Sequence, residues 1–255
     1  MKKGYFFDMD GTLYSNRFHS VPEHTIQVLN HLKEKGCFVG LATSRTKCEL
    51  IHLPRSLREF GFDVKIMDGG ACIFDKTGNV LKKDTMKIED MNRLDAYCKE
   101  QGIVYRYSTL DGNYWAMKPT LYHHDAFYSL YLCAPVYKPY QQDEVLNVLV
   151  FVKTEKQRKE IGKLISQCGL VDYPDSVEIR TNQIDKASSI AWVRDYYHID
   201  FLTCFGDGEN DVDMIKMADV GIAMGNACFI LKAVADVVTT NVEQDGIYNY
   251  FKEEM

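Results

Sequence analysis

Asp8-Met9-Asp10-Gly11-Thr12-Leu13 follows directly on the apolar run Gly4-Tyr5-Phe6-Phe7. A short aromatic run that stops at acidic residues and a glycine reads as a buried strand ending in a functional loop. Two carboxylates two positions apart at the carboxyl end of a strand stand where open α/β sheets place their ligands, and extended backbone can present both to one site. Gly11 permits a tight turn, and the successive N–H groups around Asp10 to Thr12 offer an anion-binding nest. The residue types therefore suit Mg²⁺ at the carboxylates and a phosphate at the nest.

Working outward, Ser20-Val21-Pro22-Glu23 has capping-box spacing, with Pro22 in the first turn of a helix that carries Ile26, Leu29 and Leu32 as far as Gly36. Cys37 to Ala42 is a second apolar run without alternation, as expected of a strand covered on both faces in a parallel sheet. The rhythm returns late in the chain. A helix is expected over Lys186 to Tyr197 and a buried strand over Phe201 to Phe205. Another helix carries Val212, Ile215 and Met217, and strands follow at Val220 to Ala223 and Val237-Val238. Strands and helices alternating at both ends predict one α/β domain with a doubly wound, mostly parallel Rossmann-like sheet.

The middle differs in kind. From about Leu81 to Thr181 aromatics are dense, a strand is expected over Val145 to Val152 and a helix over Lys156 to Cys168, with no βαβ rhythm. The expected organisation is a discontinuous core of residues 1–82 and 183–255 with an inserted α+β domain at 83–182.

Composition limits the function. With 30 Lys+Arg against 36 Asp+Glu, the net charge of −6 has the wrong sign for a protein held to nucleic acid by phosphate neutralisation. The eight cysteines form no C-x-x-C pair and do not cluster with histidine, which points to reduced, buried thiols rather than a disulfide framework or a zinc site. The apolar run after Lys2 and Lys3 ends at Asp8, too soon for a secretory segment, and no run is long enough to span a membrane. The expectation is a cytoplasmic protein, a monomer or weak homodimer.

Three further segments complement the first. Thr43-Ser44-Arg45 after the second strand brings hydroxyls and a guanidinium. Gly206-Asp207-Gly208-Glu209-Asn210-Asp211 after a late strand brings more hard oxygen donors, and Lys186 precedes that strand by one helix. Phosphoryl transfer needs donors and positive charge around the oxygens, a metal, and an in-line nucleophile, which a carboxylate can supply.

These four segments in order resemble the haloacid dehalogenase superfamily of phosphatases. The form Gly-Asp-Gly-Glu-Asn-Asp, with Gly225-Asn226-Ala227 and Asp245-Gly246-Ile247, is similar to its Cof-type branch, whose cap is a large C2-type (IIB) α+β insertion. The resemblance implies Mg²⁺-dependent hydrolysis of small phosphorylated metabolites through an aspartyl phosphate. Asp8 would be nucleophile and metal ligand. Asp10 would be general acid and then base, its main-chain carbonyl on the metal. Thr43, with Ser44 as the alternative, would bind the phosphoryl group with Gly11 and Thr12. Lys186 would steady charge and orient Asp8, and Asp207 would complete the metal ligands. Asn210 and Asp211 would support lysine, phosphate and metal-bound water. Two departures stand out: Ser44 replaces the usual glycine of Thr-Gly-Arg, and Ala187 replaces the glycine after the lysine. The same core also admits a phosphomutase or a non-catalytic phosphate-binding regulator. The lengthened fourth motif of those mutases is absent here, and a degenerate site would have lost an aspartate or the lysine.

Other segments invite chemistry and have plainer readings. Asp75-Lys76-Thr77-Gly78 imitates an ATPase phosphorylation motif, but its apolar flanks predict a hairpin turn. His123-His124-Asp125, read as strand, would point its histidines to opposite faces, which favours a structural or substrate-contact role over a metal site. Cys204 reads as core, as do the Tyr122 to Tyr140 aromatics, and Arg180 lies near the return to the core, within possible reach of a substrate.

Overall fold

The computed structural model describes residues 1–129, 132–181 and 184–255. Its strands in chain order are β1 (Lys3–Phe7), β2 (Phe38–Ala42), β3 (Val64–Met67), β4 (Cys72–Asp75), β5 (Val80–Lys83), β6 (Tyr105–Ser108) and β7 (Asn113–Trp115), followed by β8 (Val136–Tyr137), β9 (Asn147–Phe151), β10 (Gly169–Asp172), β11 (Ser176–Arg180), β12 (Phe201–Gly206), β13 (Val220–Ala223) and β14 (Val237–Val238). The chain divides into two compact units. One holds Met1–Ser44, Leu53–Leu81 and Asp185–Met255; the other holds Arg45–His52 and Lys82–Ile184. Arg45–His52 thus groups with the inserted segment although it lies far upstream of it. The expected boundary at residues 182 and 183 falls outside the described residues.

The first unit is built on an eight-stranded sheet in the order β14-β13-β12-β1-β2-β3-β4-β5. Strands β14 to β3 of that order pair in parallel, and β4 turns back antiparallel to β3. The central strands are buried on both faces because each face carries apolar side chains. Phe6, Leu202 and Cys204 join Ile190, Val193, Met214, Ile215 and Leu231 in one core. On the opposite face Phe7 stacks on Phe205 at 4.8 Å, and Phe251 meets both Tyr5 and Phe205. Gly40 lets the sheet close over Phe6, since a Cβ there would overlap the Phe6 ring.

The first helix begins at Thr25, not at the Ser20-Pro22 segment that its spacing suggested. Ser20 is engaged elsewhere, its backbone exchanging hydrogen bonds with Ser15. The helix entrance is held instead by Asp245, whose carboxylate accepts the His24 N–H at 3.1 Å and meets His24 Nδ1 at 2.9 Å. Asp75-Lys76-Thr77-Gly78 forms a turn between β4 and β5. Asp75 Oδ1 accepts the N–H groups of Thr77 and Asn79, and these bonds, led by that of the Thr77 hydroxyl, draw its pKa down to about 2.

The second unit is a six-stranded sheet in the order β10-β11-β9-β6-β7-β8, antiparallel except between β7 and β8. One face packs Tyr105, Tyr107, Val148, Val150, Val177 and Ile179 against the helices Ile88–Gln101 and Glu155–Leu164. The other face has an apolar end, where Val104, Trp115 and Phe151 meet Phe127, and a polar end bearing Arg106, Asn147, Glu178 and Arg180. His123 and His124 lie on the helix Leu121–Ser129 rather than on a strand. His123 caps that helix through Thr120 and packs edge-on against Trp115 and Phe151. Burial pushes its pKa below the ordinary histidine range, with Lys153 and His124 adding to the effect. Among the described residues no two cysteines are joined by a disulfide, and no helix is long and apolar enough to cross a membrane.

Candidate active site

At the carboxyl edge of the first unit's sheet the four segments meet. Asp8 directly follows β1, its N–H bound to Phe205 O on β12. Asp207 and Asp211 follow β12, and Lys186 opens the helix Lys186–Tyr197, where Asp185 caps the N-terminus by accepting the Ser188 N–H at 2.7 Å. A lysine in a first turn opposes the helix dipole. Here its charge is met by carboxylates: Nζ donates to Asp8 Oδ1 at 2.5 Å and to Asp211 Oδ1 at 2.7 Å, with Lys186 fully buried. Asp211 Oδ2 in turn accepts the N–H groups of Asp207 and Gly208, both at 3.0 Å, which fixes the loop. Ala187 sits in regular helix, a conformation that alanine favours.

Asp8, Asp207 and Asp211 each bring a carboxylate oxygen within 4.8 Å of the others. Three carboxylates against one ammonium leave two negative charges in a buried site. Burial raises Asp8 well above the usual carboxylate range; Lys186 pulls it down, and Asp211, Asp207 and Asp10 push it up. Burial and then Asp211 raise Asp207 to about 7. Burial alone would lower Lys186, yet Asp211 and Asp8 drive it up. A charge deficit of two and an all-oxygen donor set fit a hard divalent cation.

The turn after β1 differs in one respect from the nest that its sequence suggested. Gly11 N–H donates to Tyr14 O at 2.8 Å and Thr12 N–H reaches Met9 O at 3.4 Å, so both are taken up within the turn. What Gly11 provides is space: its φ is +82°, and a Cβ would overlap the Asp207 carboxylate. The Thr12 hydroxyl lies 3.3 Å from Asp207 Oδ1. Asp10 is part-buried in the same turn, close enough to act on both Asp8 and Asp207. Thr43 is buried beyond the end of β2, held through its N–H to Ile66 O and its carbonyl to Gly69 N–H. Ser44 Oγ accepts from Asn210 Nδ2 at 3.2 Å.

Asn226 had no role assigned from its motif. Its amide donates to Gly11 O at 2.8 Å and Asp207 Oδ2 at 3.2 Å, while its carbonyl accepts Val242 N–H, so it ties the acidic loop to the first turn. Arg180 pairs with Glu178, Nε to Oε1 and Nη2 to Oε2, both at 3.0 Å. Cys204 is buried core, its thiol pKa raised by burial.

This arrangement of parallel sheet, acidic edge and buried lysine is that of a hydrolase of phosphate esters. The sequence profile of haloacid dehalogenase-like hydrolases matches residues 5–251, and the chain belongs to that family. It is similar to the 5-amino-6-(5-phospho-D-ribitylamino)uracil phosphatase YcsE of Bacillus subtilis (strain 168), 26% identical over 94% of this chain and 90% of that protein. The solved HAD subclass IIB sugar phosphatase BT4131 aligns with TM-score 0.88 and 27% identity over 99% of both chains. Another solved structure, described for conservation of a trigonal-bipyramidal intermediate in a phosphoryl-transfer superfamily, gives TM-score 0.89 and 29% identity over 100% of this chain and 99% of that one. The chain is an enzyme, a phosphatase of the HAD type.

Proposed function

We propose that the chain is a Mg²⁺-dependent phosphatase that hydrolyses small phosphomonoesters, such as a sugar phosphate or phosphorylated metabolite, through an aspartyl phosphate on Asp8. The observation that carries this reading is the shared lysine. Lys186 holds Asp8 Oδ1 and so fixes the carboxylate at the strand end. Asp8, Asp207 and Asp211, with the Asp10 carbonyl, would hold Mg²⁺, which when bound neutralises charge on the phosphoryl oxygens. The activities for which YcsE and BT4131 are named support a small phosphorylated substrate.

In the first half-reaction the Asp8 carboxylate forms a bond to phosphorus as the ester P–O bond breaks, and Asp10 gives its proton to the departing oxygen. In the second, Asp10 takes a proton from water as that oxygen attacks phosphorus, and the acyl phosphate bond breaks to return Asp8 and release phosphate. Thr43 steadies the transferring phosphoryl group by its hydroxyl, with Ser44 held beside it by Asn210. Lys186 keeps its proton throughout, between Asp8 and Asp211.

The test is phosphate release from p-nitrophenyl phosphate with Mg²⁺. Asp8→Asn should abolish it while leaving the far-ultraviolet circular dichroism and melting cooperativity intact. Full activity in that variant would overturn the reading.

A further inference from the structure

Between β3 and β4 three buried residues in succession have positive φ: Asp68 at +54°, Gly69 at +68° and Gly70 at +113°. A non-glycine residue and two glycines held together in that region mark a turn whose shape its surroundings impose. What lies against it is the start of the helix that carries Lys186. A Cβ on Gly70 would overlap the carbonyl carbon and oxygen of Asp185, which are main chain and cannot turn aside. The Gly70 carbonyl accepts the Ser189 hydroxyl at 2.8 Å, and the Ser189 N–H reaches Asp185 O at 3.2 Å, with Ser189 only 1% exposed. A serine within a helix commonly bonds back to its own preceding turn, whereas this hydroxyl bonds across to a segment 119 positions away. On its other side the turn meets the end of β2, where Gly69 N–H donates to Thr43 O at 3.1 Å. All of these residues belong to the first unit.

The helix start fixes where the Lys186 ammonium stands. Asp185 and Ser188 cap each other, but bonds within one turn do not fix the helix against the sheet. The close contact at Gly70 stops the helix from moving toward the turn, and the Ser189 bond stops it from withdrawing. Nζ has to meet Asp8 Oδ1 and Asp211 Oδ1 together, and a functional group must be held within about 0.5 Å of its productive place. We propose that Gly70 and Ser189 are positioning residues for Lys186: the turn sets the ammonium against Asp8 and, through Gly69, keeps Thr43 in step with it. The inference rests on the part given to Lys186 in the function proposed above, and neither residue carries a group that the chemistry uses.

Two measurements on the full chain test it. The first is a double-mutant cycle on kcat for p-nitrophenyl phosphate at saturating Mg²⁺. Ser189→Ala should lower kcat about tenfold with KM little changed, since a misplacement of about 1 Å can cost as much as about a hundredfold. Because Ser189 acts through the ammonium, the same substitution should add nothing in a Lys186→Met background, whereas a general loss of folded enzyme would lower both backgrounds alike. Gly70→Ala pushes on the helix start directly and should lower kcat at least as far in the same cycle. The second measurement needs no turnover: the ¹⁵N signal of the Lys186 ammonium in metal-free protein, assigned by its absence from Lys186→Met. Ser189→Ala should shift or broaden that signal. The inference is overturned if Ser189→Ala leaves kcat unchanged, if it costs the same factor in both backgrounds, or if the ammonium signal stays as in wild type. A wild type that releases no phosphate defeats the proposed function, and the ammonium signal then decides this inference by itself.

Discussion

The Lys186 ammonium donates a 2.5 Å hydrogen bond to the carboxylate of Asp8, 178 positions away in sequence, and both side chains are buried. Lys186→Met would leave Asp8 and Asp211 buried without their cation. Removing one partner of a buried ion pair costs about 3–5 kcal/mol, and losing one preorganised charge donor costs about 10²–10³ in kcat. The expected variant melts earlier, recovers part of its stability on adding Mg²⁺, and turns over p-nitrophenyl phosphate at least about a hundredfold more slowly. Calorimetry with and without Mg²⁺ and initial rates check this; an unchanged kcat would remove Lys186 from the mechanism.

Gly11 and Asn226 should set metal affinity rather than chemistry directly. Gly11→Ala forces a side chain into the Asp207 carboxylate at a φ of +82°, a backbone strain of about 1–3 kcal/mol besides the displaced ligand. Asn226→Ala removes only the amide that orients Asp207 and Gly11, and outer supports of this kind are worth about 10–100-fold in metal affinity. Titrating Mg²⁺ against activity should show a raised half-saturation in Asn226→Ala with near-normal kcat at excess metal, and a larger loss in Gly11→Ala. Equal Mg²⁺ dependence in all three proteins would refute the role given to Asn226.

His24 and Asp245 provide a pH test away from the active site. The hydrogen bond with Asp245 raises the His24 pKa against a smaller opposing effect of desolvation, with the charges of Asp245 and Glu23 adding to it. A raised folded pKa means that the pair's contribution is fully present below the unfolded value of about 6.5 and is lost as pH rises through the higher folded value. The Tm difference between wild type and His24→Gln should therefore be largest below about pH 6 and shrink on the alkaline side. A difference independent of pH would show that the charge contributes nothing.

What the sequence made legible follows from where its information is local. The helix Lys186–Tyr197 and the strands Val220–Ala223 and Val237–Val238 have their expected bounds, because apolar runs between polar breaks fix an element's position. The four segments at the sheet edge could be read because each ends a strand or opens a helix beside one. Ser20 looked like a cap, but the cap spacing is satisfied locally whereas the true partner of the helix entrance, Asp245, is 221 positions from His24. Gly11 reads as the residue that permits a tight turn, and its positive φ agrees; only the folded turn shows the Gly11 and Thr12 N–H groups used internally and the missing Cβ facing Asp207. Arg106 carries no motif at all. Its place across β9 from Glu178 depends on the registers of β6, β9 and β11, which no spacing along the chain reveals.

The Glu178–Arg180 pair tests the second unit's polar face as structure. Burial pushes the Glu178 pKa up, but Arg180's charge and hydrogen bonds, with those of Asn147 and the charge of Arg106, bring it below the ordinary glutamate range. A depressed folded pKa contributes stability above the unfolded value of about 4.3, lost only as pH falls through the lower folded value. Glu178→Gln should cost about 3–5 kcal/mol near neutrality, because it removes the buried carboxylate that pairs with Arg180 and acts on the charge of Arg106. The cost should shrink as pH falls through that lower folded value, where wild type loses the same contribution. Glu178→Gln with Arg180→Met should be more stable than Glu178→Gln alone, since the guanidinium is removed together with the carboxylate it pairs with. Chemical denaturation from pH 7 down through that value measures all three proteins, and a double variant less stable than the single would show that Arg180 is held by something other than Glu178.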